Sequence, residues 1–176
     1  MSNNKGRVIW VTGLSGSGKS TLANQVVARL RATGQTIVML DGDEMRAVLG
    51  ATQANSENHG REGRLALAMQ YAKLCKLIAD QSVTVVCSTI SMFEEVHSWN
   101  RKNQPSYFEV YLKVPLSELR KRDPKGIYKR FDSGELKNVA GLDLPVNEPK
   151  HPDILFKFEP RMKLCQMTDE IITKIN

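Results

Sequence analysis

Residues 13–20 read Gly-Leu-Ser-Gly-Ser-Gly-Lys-Ser and match the phosphate-binding pattern G-x-x-x-x-G-K-[ST] at every defined position. An apolar run at residues 7–12 precedes this stretch, and residues 21–31 follow it with apolar side chains at helical spacing. The order predicts a buried strand, a glycine-rich loop and a helix. An ordinary glycine-rich turn before a helix is the alternative, but the motif and both flanks together favour a phosphate-binding loop.

The chemistry of such a loop follows from its backbone. Glycines let several N–H groups face one anion, and the following helix N-terminus adds positive potential. We expect Lys19 to reach the β- and γ-phosphates of a nucleotide and Ser20 to hold Mg²⁺. The predicted phosphate contacts are Gly13, Ser15, Gly16, Ser17, Gly18, Lys19, Ser20 and Thr21.

Composition is that of an ordinary globular protein, with 176 residues, 41% hydrophobic and 25% charged. The three cysteines are far apart, which excludes a disulfide framework or zinc pattern and favours reduced, buried thiols at Cys75 and Cys87. No signal-peptide core or membrane-spanning run is present. We therefore expect a cytoplasmic protein with no membrane partner.

Much of the formal net charge of +6 lies in residues 120–137, which hold seven cations and three anions. A basic surface suits nucleic acid or any other polyanion. No aromatic-interleaved RNA motif or recognition-helix pattern accompanies the charge, so a small phosphorylated ligand is favoured over nucleic acid.

Strand and helix patterns alternate along the chain, which predicts an α/β fold with a parallel sheet flanked by helices. The predicted strands are 7–12, 36–40, 83–87, 107–112 and 154–158. The predicted helices are 21–31, 44–49, 64–80, 115–122 and 163–175. Residues 50–60 predict a loop. Residues 122–152 are rich in glycine and proline and are predicted to form a lid with short helical pieces. The whole chain, residues 1–176, is predicted to be a single P-loop kinase domain.

Asp41 and Asp43 follow the second predicted strand, at the sheet edge where ligands bind in open parallel sheets. Carboxylates there can position Mg²⁺ and accept a hydroxyl proton. The alternative for Asp-Gly-Asp is turn chemistry with a helix N-cap from Asp43.

Arg46 and Arg64 are candidates to hold a substrate phosphate, with a solvated surface arginine as the alternative. The three histidines have no metal or triad spacing, and we expect them on the surface or in loops. We expect Trp10 and Trp99 to pack in or near the core rather than to stack on a ligand.

The chain resembles the adenylylsulfate kinase family along most of its length. The resemblance rests on the phosphate loop, on Leu40-Asp41-Gly42-Asp43 with Arg46, on Ile90-Ser91 and on Arg122-Asp123-Pro124-Lys125-Gly126-Ile127-Tyr128-Lys129. In that family ATP phosphorylates the ribose 3′-hydroxyl of adenosine 5′-phosphosulfate. The resemblance implies ATP and Mg²⁺ at Lys19 and Ser20, and it makes Asp41 the metal-linked base. It also implies a homodimer, substrate contacts at Arg46 and Ser91, and a lid cation at Lys125.

Several positions depart from the family. The family phenylalanine that stacks on adenine is Val139 here, and the proline after Ile-Ser is Met92. Counted back without gaps from Ala79-Asp80, the family pattern Asp-Arg-x-x-Asn falls on Gly63, Arg64 and Leu67. The phosphoryl-transfer groups are kept, while the acceptor pocket is rebuilt. A related nucleotide, such as a cytidine diphosphoramidate, is therefore an alternative acceptor.

The sequence thus predicts a kinase that moves the γ-phosphoryl group of MgATP to a hydroxyl of a small anionic nucleotide. Two rivals stay open at this point. One is a kinase of a non-nucleotide metabolite such as a sugar acid. The other is a nucleotide-binding regulatory module without turnover, which the intact set Lys19, Ser20 and Asp41 disfavours.

Overall fold

The computed structural model describes residues 6–50 and 60–176 of the chain. In these residues five strands form one sheet with the order β2-β3-β1-β4-β5, and every neighbouring pair is parallel. The strands are β1 (Val8–Gly13), β2 (Ile37–Asp41), β3 (Thr84–Thr89), β4 (Tyr107–Lys113) and β5 (Ile154–Lys157). The helices are α1 (Lys19–Ala32), α2 (Gly42–Val48), α3 (Arg61–Ala79), α4 (Glu94–Asn103), α5 (Leu116–Arg122), α6 (Ile127–Asp132) and α7 (Leu164–Ile175).

Both faces of the sheet are covered by helices, because alternate strand residues point to opposite sides. On β1, Ile9 and Val11 belong to the core packed against α1 and α7. Val8 and Trp10 point the other way, into the core beneath α3 and α4. All four are fully buried. The carboxyl ends of the parallel strands therefore meet at one edge of a three-layer structure.

The α/β fold class and all five strands are confirmed, with ends shifted by one or two residues. Cys75 and Cys87 are free and buried, as predicted. Trp10 is buried and Trp99 partly buried, again as predicted. None of the helices among the described residues is long and apolar enough to cross a membrane.

Two helix predictions need correction, and one helix was missed. Helix α3 begins at Arg61, so Arg64 lies inside its first turn instead of opening it. Helix α5 begins at Leu116, and Pro115, with extended ψ of 143°, is its N-cap instead of its first residue. Helix α4 was not predicted, since Val96 and Asn100 are its only buried residues. The predicted loop 50–60 falls almost wholly on residues 51–59, outside the described residues.

The predicted lid, residues 122–152, contains helix α6 and otherwise turns and irregular chain, so its short helical content is confirmed. Asp123 precedes α6 and accepts hydrogen bonds from the N–H groups of Tyr128 and Lys129 at 3.2 and 3.0 Å. These bonds satisfy donors that a helix N-terminus leaves free. The segment predicted to be a lid thus begins with a defined, capped turn before α6.

Candidate active site

The phosphate-binding loop joins β1 to α1 at the carboxyl edge of the sheet. Gly18, with φ of 94°, is the N-cap of α1 in a left-handed conformation that glycine adopts without strain. At Gly13 a Cβ atom would lie 2.7 Å from the carbonyl oxygen of Leu112, so only glycine fits there. The loop curls tightly and directs the α1 N-terminus into a large cleft.

Most of the predicted phosphate contacts line that cleft, namely Ser15, Gly16, Gly18, Lys19, Ser20 and Thr21. Gly13 and Ser17 do not line the cleft, and their phosphate contacts stay predictions. Gly13 packs against β4, and Ser17 is buried with its N–H already bonded to the Leu14 carbonyl oxygen at 3.2 Å. Both residues support the conformation of the loop on its buried side.

Lys19 lies folded against its own loop. Its Nζ donates to the carbonyl oxygen of Leu14 at 2.9 Å. Burial, together with the nearby charge of Lys125, lowers the pKa of Lys19 to about 8 against the opposing charges of Asp43 and Asp41. The site therefore keeps its ammonium group poorly solvated and ready for an anion.

Ser20 and Asp41 are in direct contact. Ser20 Oγ donates to Asp41 Oδ2 at 2.6 Å and lies 3.3 Å from the Ser88 hydroxyl at the end of β3. The other carboxylate oxygen, Asp41 Oδ1, accepts from the Asp43 N–H at 2.9 Å and caps helix α2. The cap is thus Asp41, and the alternative of an Asp43 N-cap is wrong.

A hydroxyl and a carboxylate in contact are a hard-oxygen donor set suited to Mg²⁺, which usually takes one or two protein ligands and completes its shell with phosphates and water. Among residues 6–50 and 60–176, no group of three or more His, Cys, Asp or Glu side chains could hold a metal alone. Ser20 and Asp41 therefore fit a metal that arrives with nucleotide phosphates.

Asp43 faces across the cleft to the lid, where its carboxylate forms an ion pair with Lys125. Burial acts to raise the pKa of Asp43, but hydrogen bonding and charge from Lys125, together with Arg46, outweigh it, and the pKa is lowered. Asp43 is therefore a carboxylate that links α2 to the lid.

A second, narrower pocket borders the cleft, and it is here called the acceptor pocket because the predicted substrate contacts Arg46, Arg64 and Ser91 line it. Arg46 and Arg64 border both spaces. Burial, together with the charge of Arg46, lowers the pKa of Arg64. The pocket is lined by Arg46, Arg64, Leu67, Ala68, Tyr71, Thr89, Ile90, Ser91, Met92, Phe93, Ala140, Leu144, Pro145 and Val146.

Ser91 is buried, with φ of 31°, and its hydroxyl lies 2.8 Å from that of Thr89. Val139 is 8% exposed and lines the main cleft beside the acceptor pocket. The structure therefore brings together all the predicted substrate residues, Asp43, Arg46, Arg64, Ser91, Lys125 and Val139, on the two connected spaces.

Sequence reasoning missed three residues near the site. Tyr71 is buried, lines the acceptor pocket and donates to the Gly42 carbonyl oxygen at 3.3 Å. Tyr128 reaches from the lid to the phosphate loop and donates to the Ser15 carbonyl oxygen at 2.8 Å. His97 is mostly buried instead of lying on the surface, and its Nδ1 is 2.7 Å from Glu109 Oε1.

Comparison with known proteins gives a consistent result. The adenylylsulphate kinase family model matches residues 5–157. Cytidine diphosphoramidate kinase of Campylobacter jejuni is 36% identical over 175 residues, covering 99% of each chain. A probable adenylyl-sulfate kinase of Halalkalibacterium halodurans is 40% identical over 155 residues, covering 87% of this chain and 73% of the relative.

Among solved structures, the APS kinase CysC of Mycobacterium tuberculosis in complex with AMPPNP and APS superposes with a TM-score of 0.86 at 31% identity, covering 97% of this chain and 98% of that one. The phosphate loop, the Ser20–Asp41 pair and the basic lid thus occur in a chain whose relatives are ATP-dependent nucleotide kinases. The chain belongs to the adenylylsulphate kinase family and is an ATP-dependent phosphotransferase that acts on a hydroxyl group.

Proposed function

We propose that this kinase uses MgATP to phosphorylate the ribose 3′-hydroxyl of a cytidine nucleotide with a diphosphate-like 5′ group, with cytidine diphosphoramidate as the first candidate. The observation that carries the proposal is the aliphatic character of the lid segment beside the acceptor. Val139, Ala140 and Leu144 stand there, and the family resemblance implies a stacking phenylalanine at residue 139. The full-length similarity to the Campylobacter cytidine diphosphoramidate kinase supports the same acceptor class.

Lys19, Ser20 and Asp41 are proposed to carry the phosphoryl transfer. Lys19 and the loop N–H groups bind the β- and γ-phosphates, and Ser20 with Asp41 would hold Mg²⁺. When bound, Mg²⁺ neutralises phosphate charge. The acceptor oxygen bonds to the γ-phosphorus, the bond to the β–γ bridging oxygen breaks, and ADP leaves. Asp41 takes the proton of the acceptor hydroxyl.

Arg46, Arg64 and Lys125 are proposed to bind the anionic 5′ group of the acceptor. The two guanidiniums border both spaces and can each hold a phosphate with two hydrogen bonds. Lys125 lies on the lid opposite Asp43. Ser91, whose hydroxyl already bonds Thr89, would contact the nucleoside part of the acceptor.

A panel of acceptors at saturating MgATP tests the proposal, because discrimination is a ratio of kcat/KM values. Cytidine diphosphoramidate, CDP, ADP and adenosine 5′-phosphosulfate form the nucleotide arm, and gluconate forms the sugar-acid arm. Phosphorus NMR locates the new phosphate. A cytidine acceptor with the highest kcat/KM and a 3′-phosphate product supports the proposal, whereas preferential use of adenosine 5′-phosphosulfate contradicts it.

The homodimer implied by the family resemblance also stays a proposal. Light scattering on the purified chain measures the mass directly, with 19.7 kDa expected for one copy. A mass of about one copy at assay concentration would reject it.

A further inference from the structure

A buried carboxylate outside the active site holds a polar network on strand β4. Glu109 is 3% exposed. Its Oε1 accepts from the Tyr107 hydroxyl at 2.8 Å and lies 2.7 Å from His97 Nδ1, while Oε2 is 3.5 Å from an Arg101 guanidinium nitrogen. A buried carboxylate needs such donors because its desolvation is costly. The network is therefore fixed in place around Glu109.

The imidazole of His97 extends this network to another part of the chain. Its second ring nitrogen, Nε2, lies 3.2 Å from the main-chain carbonyl oxygen of Asn147. The ring therefore spans the Glu109 carboxylate on one side and the Asn147 carbonyl oxygen on the other, within hydrogen-bonding distance of each. His97 thus connects buried Glu109 on β4 with the segment that contains Asn147.

That segment, residues 145–153, is here called the strap. It has neither helix nor strand, and ion pairs and polar contacts to neighbouring elements hold it. Lys113 binds Glu148 at 2.6 Å, and Lys150 binds Glu94 at 2.8 Å. At the far end of the strap, the Arg101 guanidinium donates to Asp153 Oδ2 at 2.8 Å and to the His151 carbonyl oxygen at 3.1 Å.

The near end of the strap forms part of the acceptor pocket. Pro145 and Val146 line that pocket, as do Arg46 and Arg64. The next residue, Asn147, donates its N–H to the carbonyl oxygen of Met92, another lining residue, at 2.9 Å. Asn147 therefore joins two walls of the pocket, and its position sets their separation.

We propose that His97 is a positioning residue for acceptor binding, in which the imidazole bridge from Glu109 to Asn147 holds the strap wall at its working distance. His97 itself lines neither the cleft nor the pocket. Its removal should change acceptor affinity and leave the phosphate loop unchanged. The inference rests on the proposed acceptor pocket but not on the identity of the base.

Two substitutions test the His97 contact with Glu109 and the His97 contact with Asn147 separately. In His97→Asn the side-chain amide nitrogen takes the place of Nδ1, so the bond to Glu109 is kept and the bond to the strap is lost. In His97→Gln the amide nitrogen reaches the place of Nε2, so the strap bond is kept. Glu109 then retains Tyr107 and Arg101 as donors.

We expect His97→Asn to raise the acceptor KM about three- to tenfold, the effect of one lost hydrogen bond. The ATP KM and kcat should stay within about twofold of wild type on the same scale. His97→Gln should restore the acceptor KM. Hydrogen exchange at the Asn147 amide should become faster in the Asn variant alone. His151→Asn is the matched control, because His151 lies on the strap, is exposed and contributes its carbonyl group.

Equal acceptor KM values in wild type, His97→Asn and His97→Gln would overturn the proposal. So would an Asn variant that fails to fold or loses ATP and acceptor affinity together, since either result assigns His97 to stability. The assays use whichever nucleotide gives the highest kcat/KM in the acceptor panel. An incorrect cytidine assignment therefore changes the ranking in that panel and leaves the His97 comparison intact.

Discussion

The two halves of the active site are built in different ways. The phosphate half comes from one continuous stretch, residues 13–21, supported by Asp41 from the neighbouring region of the sheet. The acceptor half is assembled from α2, α3, the end of β3 and residues 140–146, which lie far apart in the chain. Backbone geometry dominates the first half, and side chains from separate elements dominate the second. On the proposed function, the first half binds the nucleotide phosphates, and substitutions in the second half should change the acceptor without disturbing the first.

The largest effect is expected in the phosphate half. Lys19→Ala removes the cation that faces the β- and γ-phosphates, and we expect turnover to fall at least roughly 10³-fold, the upper scale for one preorganised electrostatic contact. The loss should be the same for every acceptor. Steady-state rates with two acceptors, together with circular dichroism to confirm folding, measure it. A folded variant with near wild-type turnover would contradict the assignment of Lys19.

The carboxylate at the boundary of the two halves should come next. Asp41→Asn keeps the helix cap, because asparagine caps as well as aspartate, but it loses the proton acceptor. We expect turnover to fall roughly 10²–10⁴-fold. Asp43→Asn is the matched variant, and it should cost less because Asp43 pairs with Lys125 and not with Ser20. If Asp43→Asn were the more damaging of the two, their roles would be exchanged.

The same difference explains what the sequence could predict. The strands and the phosphate loop are local patterns, so their positions followed from runs of adjacent residues. Helix α4 was missed because its sequence is mostly polar, with Val96 and Asn100 alone fully buried. His97 was misjudged because its partners, Glu109 and Asn147, lie 12 and 50 residues away. The alternative of an N-cap from Asp43 was open because both carboxylates suit a helix start, and only the fold shows that Asp41 is the cap.

The acceptor half can be altered on its own. Val139→Phe restores the aromatic face that the family resemblance implies at this position. One stacking contact is worth about 1–3 kcal/mol, so the ratio of kcat/KM for adenosine 5′-phosphosulfate to that for the cytidine acceptor should rise roughly 5- to 150-fold. Val139→Leu is the control for side-chain size. An unchanged ratio in the phenylalanine variant would show that residue 139 does not select the base.

A smaller effect is expected at the lid. The Lys125–Asp43 pair is exposed, with 53% and 59% of the two side chains accessible, so Lys125→Met should leave the melting temperature nearly unchanged. The acceptor KM should rise about tenfold through loss of a charge-assisted contact to the 5′ group. Lys129→Met, on α6 and outside the cleft lining, is the control. If both variants raised the acceptor KM equally, the positive potential of the whole basic lid would be responsible, and not a contact by Lys125.

The smallest effect is expected from the protonation of Lys19 when MgATP binds. The pKa of Lys19 is about 8, below the ordinary lysine value of 10.5, chiefly through burial. Between pH 8 and pH 10.5 the lysine is protonated in the unfolded chain but not in the folded chain. Lys19 therefore makes folding more favourable as pH rises from about 8 to about 10.5. Phosphates bound beside Lys19 favour its charged form, and MgATP binding should therefore take up a proton above pH 8.

At pH 8.5 this coupling should weaken MgATP binding about fourfold relative to pH 7, because most of the free enzyme must first be protonated. Calorimetry at pH 8.5 in two buffers of different ionisation enthalpy measures the proton uptake directly. Lys19→Arg is the control, since a guanidinium stays charged throughout this range and should show no uptake. Binding heats that do not depend on the buffer in the wild type would mean that Lys19 is already charged in the empty site. The phosphate half would then be preorganised in charge as well as in backbone geometry.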